Sequence, residues 1–133
     1  MTRVVVVEDD PHNAVLFRKL LEKRLGFSVL VTESPEELFE AARSGDVALV
    51  VMDVSLAHST LDGEAVNGVA LCRMLKGERD TASIPVLLAT AHAMRGDAER
   101  LLAESGADDY ISKPIVDHSQ FVEQVRALVQ EAA

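Results

Sequence analysis

Glu8, Asp9 and Asp10 stand in a row, immediately after four consecutive valines. Asp53 closes a second apolar run, VALVVM. Thr90 closes a third, IPVLLA, and Lys113 follows a fourth, DYIS. Three adjacent carboxylates raise one another's pKa and cost free energy unless something compensates them. Hard oxygen ligands, with no cysteine nearby and no histidine cluster, suit Mg²⁺ better than zinc. Magnesium keeps several waters and leaves room for a phosphate oxygen. A hydroxyl and an ammonium on the same rim are donors for the remaining phosphoryl oxygens. In that company Asp53 is a candidate nucleophile, since carboxylates form acyl phosphates. Each residue alone has a plainer reading. An acid after a strand is usually a cap or turn residue, a strand-end threonine a β-former, and a lysine before proline a loop residue. The combination of complementary roles is what points to phosphoryl chemistry.

For these side chains to share a rim, several strand ends must lie side by side. RVVVV (3–7), FSVLV (27–31), VALVVM (47–52), IPVLLA (84–89) and DYIS (109–112) are four to six residues long, too short for core helices. Several are apolar at consecutive positions, which suits strands covered on both faces, as in a parallel sheet. Helical patterns lie between them. Residues 11–25 divide Val15, Leu16 and Leu20 from Lys19 and Lys23, with Asp10 as cap and Pro11 in the first turn. The next helix opens on SPEE, with Ser34 as cap and Glu37 completing a capping box. Helix 66–76 carries Val69, Leu71, Cys72 and Leu75 and is followed by Gly77. A helix over 97–105 stops at Gly106. The last, 118–131, places Phe121, Val122, Val125, Leu128 and Val129 on one stripe. Five alternating β-α pairs imply right-handed crossovers and a doubly wound parallel α/β sheet. Ligands of such a sheet bind beyond the carboxyl ends of its strands, where the acids, Thr90 and Lys113 fall.

The chain of 133 residues is most simply one domain. Its net charge of −9 argues against a nucleic-acid footprint, which needs a clustered basic face, and against an anionic membrane surface. Cys72 is the only cysteine, so no intrachain disulfide exists, and its helical setting makes it a small buried side chain. No signal peptide and no apolar run of transmembrane length stands in the sequence. The expected location is the cytoplasm.

The stretches VVVVEDDP, VVMDVSL, LLATAHAMRGD and GADDYISKPI together resemble a two-component response regulator receiver domain over essentially the whole chain. The resemblance implies a flavodoxin-like (βα)5 sandwich with strand order 2-1-3-4-5, forming a single receiver domain over residues 1–133. It implies that Asp53 is the phosphoacceptor. Asp9 would be a direct Mg²⁺ ligand with Asp53, Glu8 would act largely through water, and the backbone carbonyl of Ser55 would be a further ligand. Thr90 and Lys113 would contact the phosphoryl group, and the Lys113–Pro114 bond would be cis. Tyr110 would be the aromatic switch that turns inward when Thr90 moves, and His92 would tune hydrolysis of the phosphoryl group. The implied donor is a sensor histidine kinase or phosphotransfer protein. The implied output is a contact with a downstream protein, made by a monomer or a phosphorylation-linked dimer. Such a protein is a phosphoacceptor rather than an enzyme, although it assists its own phosphorylation and dephosphorylation. Met1 and the short tail QEAA favour a stand-alone regulator with no output domain.

The long connection after Met52 departs from the family pattern. Ala57 stands where a proline is usual, and Asn67-Gly68 takes the place of the Asp-Gly that precedes the third helix. Aligned so, loop 57–67 is about seven residues longer than usual, a length that costs little if it is a surface insertion. A partner contact or a gate over Asp53 is the functional alternative. Asp62 sits in that polar loop, away from any strand end, and is not a site residue. His12, His58 and His118 read as helix-start and loop residues, without the partners zinc requires. Three other classes compete. A flavodoxin-like cofactor binder needs a Ser/Thr/Gly phosphate loop where EDDP stands. A phosphatase of the haloacid dehalogenase type needs an acid at the position of Ser55. A receiver fold used only for phosphorylation-independent docking has no use for Asp53, Thr90, Lys113 and the acidic pair together.

Overall fold

The computed structural model describes residues 2–55, 60–61, 64–65, 67–91 and 95–132. The valines after Arg3 form β1 (Arg3–Val7), which leads into α1 (Pro11–Leu25). β2 (Ser28–Thr32), α2 (Pro35–Arg43) and β3 (Val47–Asp53) follow. A separate two-stranded antiparallel ribbon, β4 (Thr60–Leu61) and β5 (Glu64–Ala65), precedes α3 (Gly68–Gly77). The chain ends with β6 (Val86–Thr90), α4 (Arg95–Ser105), β7 (Asp109–Ser112) and α5 (His118–Ala132). The main sheet is parallel throughout, in the order β2-β1-β3-β6-β7. With the ribbon set aside, this is the expected order 2-1-3-4-5.

Strand alternation divides the core in two. Val4 and Val6 of β1 face Phe17, Leu20 and Leu21 of α1 and Phe121, Val122 and Val125 of α5. Val5 and Val7 face the opposite way, into Leu38 and Phe39 of α2 and Leu71, Cys72 and Leu75 of α3. All four valines are fully buried, so β1 is covered on both faces as its unbroken apolar run predicts. Phe17 and Phe121 meet with ring centroids 5.3 Å apart, joining α1 to α5. Cys72 is buried, and that burial pushes its thiol up to about 11, leaving it inert at neutral pH.

Several local expectations need correction. Val15 is 66% exposed rather than part of the apolar face of α1. The buried positions are Phe17, Leu20 and Leu21, and Val15 lies about 160° around the helix from Phe17 at 100° per residue. Ser34 does cap α2, accepting the Glu37 N–H at 3.2 Å, but its own N–H donates to Thr32 Oγ1 at 3.0 Å, in place of the reciprocal bond of a capping box. Helix α3 begins at Gly68, capped by Asn67, and includes Gly77. The ribbon inside the long connection was not expected at all. Ala57, His58, Asp62 and Gly63 lie outside the described residues.

The edge strand β7 is closed by side chains. Asp109 Oδ1 accepts the Tyr110 N–H at 2.8 Å, and Gln124 Nε2 donates to the Tyr110 carbonyl at 2.9 Å and to Asp109 Oδ2 at 3.0 Å. The Tyr110 N–H and carbonyl, which would otherwise offer pairing groups at this edge, are thereby occupied.

Candidate functional site

The acids behind β1 divide according to backbone geometry. The Glu8 N–H still donates to the Thr32 carbonyl at 3.2 Å, so the β1–β2 ladder reaches one step past the strand and fixes Glu8 beneath the rim. Its side chain turns inward, and the residue is 3% exposed. Asp10 turns outward and accepts the His12 N–H at 2.9 Å as the cap of α1. Asp9, between them, is half-buried. Oxygens of Glu8, Asp9 and Asp53 lie within 4.8 Å of one another. The three acids behind the valines are therefore two of one kind and one of another.

Asp53 is the last residue of β3, paired with Ala89 of β6, and is 2% exposed. The Ser55 N–H donates to its Oδ1 at 3.2 Å, and the Lys113 ammonium donates to the same oxygen at 2.7 Å. Lys113 also reaches Glu8, with Nζ 3.4 Å from Oε2 and 3.5 Å from Oε1. Its backbone is anchored by an N–H to Thr90 carbonyl bond of 2.8 Å, and the Lys113–Pro114 peptide is cis. Thr90 ends β6 and is 2% exposed. Because Leu88 faces the α2 and α3 side, alternation sends Thr90 to the same side. Tyr110, half-buried, packs against that side from β7, where it pairs with Leu88.

The electrostatics follow from this crowding. Burial pushes the Glu8 carboxyl up, the Asp53 charge pushes it further, and Lys113 and the Asp10 N–H pull it back, leaving it at about 7. Burial alone would lower the Lys113 ammonium. The hydrogen bond to Asp53 and the charges of Asp53 and Glu8 outweigh that and hold it above its ordinary value. Lys113 is thus the cation that offsets the crowded carboxylates. The set is all-oxygen, which fits a hard divalent ion, and a cation there would relieve the charge that burial penalises in Glu8.

Glu8, Asp9, Asp53 and Lys113 are brought together, and Thr90 lies on the adjacent strand end. Tyr110 is set back along β7, and Ser55 is exposed beside Asp53. His92 lies outside the described residues. A cleft of about 450 Å³ opens beside β7 and α5, between Tyr110, Pro114, Val116, Gln120 and Gln124. It lies on the outer edge of the sheet rather than over the carboxylates. Two contributors escaped the sequence reading. Gln124 holds the backbone of Tyr110, and Gly68 abuts the backbone of Asp53. Only Gly68 had a signal, its place in the Asn67-Gly68 pair before α3.

The sequence profile of the response regulator receiver domain matches residues 4–126. The polar-differentiation response regulator DivK of Brucella ovis is 35% identical over 129 residues, covering 97% of each chain. The DivK of Brucella anthropi is 34% identical over the same length. Among solved structures, the signal receiver domain of a histidine kinase from Syntrophus aciditrophicus superposes with a TM-score of 0.80 at 28% identity, covering 98% of this chain and 92% of that one. The receiver domain of the sensor histidine kinase PA1611 from Pseudomonas aeruginosa, which has a magnesium ion coordinated in its active-site cleft, shares the fold with a TM-score of 0.79 at 22% identity, covering 97% and 98%. No helix among the described residues is long and apolar enough to cross a membrane.

Proposed function

The chain belongs to the response regulator receiver family of two-component signalling, and from that premise we propose that Asp53 accepts a phosphoryl group from a phosphohistidine. The donor is a sensor histidine kinase or a phosphotransfer protein. The observation that carries this reading is the single point where Lys113 Nζ lies 2.7 Å from Asp53 Oδ1 and the oxygens of Glu8, Asp9 and Asp53 converge within 4.8 Å.

Asp9, Asp53 and the Ser55 backbone carbonyl would hold Mg²⁺ directly, with Glu8 acting through water. Bound there, Mg²⁺ supplies positive charge for the carboxylates and for the transferring oxygens. The chain's own residues do the rest. The Asp53 carboxylate attacks phosphorus in line. The P–N bond to the donor imidazole breaks with its electron pair left on nitrogen, and a P–O bond to Asp53 forms. Lys113, already on Asp53, donates to a phosphoryl oxygen, and the Thr90 hydroxyl donates to another. Drawing Thr90 toward the phosphoryl group frees space on the side where Tyr110 packs, and Tyr110 follows inward. That shift biases the surface of α4, β7 and α5 toward one of two arrangements, which a downstream protein reads. His92 tunes the lifetime of the acyl phosphate. The protein thereby acts as a phosphoacceptor signalling domain through protein contact.

The test is incubation with Mg²⁺ and acetyl phosphate, followed by intact-mass analysis. Wild type should gain one phosphoryl group, and Asp53→Asn or a sample in EDTA should gain none. No mass gain by wild type, from acetyl phosphate or from a cognate kinase, would favour the phosphorylation-independent docking reading. Equal gain by Asp53→Asn would remove Asp53 as the acceptor.

A further inference from the structure

Residue 54 is held from both sides. Its N–H donates to the Ala89 carbonyl of β6 at 3.0 Å, and its carbonyl accepts the N–H of Gly68, the first residue of α3, at 3.0 Å. Asp53 precedes this clamped residue and Ser55 follows it. Gly68 fits there only because it lacks a side chain. A Cβ built on it would overlap the carbonyl oxygen of Asp53 and stand 2.8 Å from the Asp53 carbonyl carbon and 3.0 Å from Met52 Cγ. Two of these neighbours are backbone, and Met52 is fully buried, so none can swing aside. Either the Asp53 peptide or the start of α3 would have to move. Gly77, at the other end of the same helix, has nothing within 4 Å of such a Cβ, so the constraint is local to the first residue.

We infer that Gly68 is a positioning residue for the phosphoacceptor. By letting α3 seat directly on the peptide of Asp53, it sets the direction of the Asp53 carboxylate and of the Ser55 carbonyl. The clamp on residue 54 ties the end of β3 to both β6 and the start of α3. The inference rests on Asp53 being the acceptor. Relief of the overlap requires a displacement on the order of 1 Å, and misplacement of that size costs about 10²-fold in rate.

The experiment compares wild type, Gly68→Ala and Asn67→Ala. Asn67 caps α3 by accepting the Ala70 N–H at 2.9 Å, so Asn67→Ala weakens the same helix start without placing an atom on Asp53. Three quantities are measured: the folded fraction by circular dichroism, the Mg²⁺ dissociation constant by calorimetry, and the rate of phosphoryl gain from acetyl phosphate per folded molecule. Sucrose keeps destabilised variants folded. Asn67→Ala should unfold more easily yet keep the wild-type rate and Mg²⁺ affinity per folded molecule. Gly68→Ala should lose about 10²-fold in rate and bind Mg²⁺ more weakly. A Gly68→Ala protein that keeps its rate within about threefold, or that stays unfolded even in sucrose, overturns the inference, because Gly68 would then serve the fold alone. If wild type itself gains no phosphoryl group, the acceptor reading fails, and the Mg²⁺ affinities of the two variants still decide whether Gly68 positions the carboxylates.

Discussion

Raising the pH of the metal-free protein from 5 to 8 should weaken it through Glu8. That residue is 3% exposed, and burial first, then the Asp53 charge, push its carboxyl from 4.5 up to about 7. In the unfolded chain it titrates near its ordinary value. Between those two values the folded protein keeps a proton that the unfolded chain has released, so unfolding free energy falls as pH rises. The stabilising contribution is fully present below about 4.5 and gone above about 7. At 1.36 kcal/mol per pKa unit the shift corresponds to at most about 3 kcal/mol. Lys113, 3.4 Å away, and the hydrogen bond with Asp53 spread ionisation over the cluster, so the expected loss is about 1–3 kcal/mol.

Other carboxylates also titrate in this range, so the measurement is a difference. Urea unfolding of wild type and Glu8→Gln is followed by circular dichroism at pH 5, 6, 7 and 8 in EDTA. Glutamine fills the same space and has no proton to release. Relative to Glu8→Gln, wild type should lose about 1–3 kcal/mol between pH 5 and 8. With excess Mg²⁺ the loss should vanish or reverse, because the cation favours the ionised form, and Mg²⁺ should bind more tightly as Glu8 deprotonates. Parallel pH profiles for the two proteins, or a wild type that gains stability with pH in EDTA, would refute the argument from burial. A pH-dependent difference that Mg²⁺ leaves untouched would show that the carboxylates crowd for some reason other than a cation.

Two further perturbations separate residues that look alike in sequence. Asp10→Ala should cost about 1 kcal/mol of helix-cap stability, read as a lower Tm, while leaving Mg²⁺-dependent phosphorylation intact; Asp9→Ala should abolish that phosphorylation. Lys113→Met should lower metal-free stability at pH 8 by about 1.5–3 kcal/mol in urea unfolding, since it strips a charged hydrogen bond from buried Asp53 and Glu8, and Mg²⁺ should restore part of the loss.

The strands and helices that carry the site were legible because their signals are local. Four consecutive valines, the Asp10-Pro11 and Ser34-Pro35 helix starts, and the stripe from Phe121 to Val129 each speak for one element. On α1 only Val15 was misplaced: Leu16 and Leu20 do pack on the core, but Phe17 and Leu21 share their side of the helix and Val15 does not. The β4–β5 ribbon escaped because Thr60–Leu61 and Glu64–Ala65 are two residues each, too short to show alternation. The Asp62-Gly63 pair between them was the available signal, since Asp-Gly flanked by strand residues favours a two-residue hairpin turn. The identities of Glu8, Asp53, Thr90 and Lys113 stood out in sequence, but the bonds among them did not. No pattern near residue 8 or residue 113 announces that Lys113 reaches both Glu8 and Asp53.

That reach follows from the sheet order, and it explains how the crowded acids are tolerated. β6 lies between β3 and β7, so Lys113 stands two strands from Asp53, roughly 10 Å at ordinary strand spacing. To bond Asp53 at 2.7 Å its side chain must pass over the end of β6, where its own N–H is tied to the Thr90 carbonyl. A long, flexible ammonium suits that span, and three rotatable donors let it hold Asp53 while facing Glu8. The same path leaves the ammonium 2.7 Å from Asp53 Oδ1, on the carboxylate proposed to carry the phosphoryl group. On the proposed function, the lysine that offsets these carboxylates would also donate to the phosphoryl oxygens. In the metal-free protein Lys113 offsets part of the charge that Mg²⁺ would otherwise meet, and the elevated Glu8 carboxyl is the part it leaves uncompensated. A cation held by Asp9 and Asp53 should therefore favour the ionised form of Glu8 and relieve Lys113 of part of its shared duty, which on the proposed function leaves its donors free for a phosphoryl oxygen.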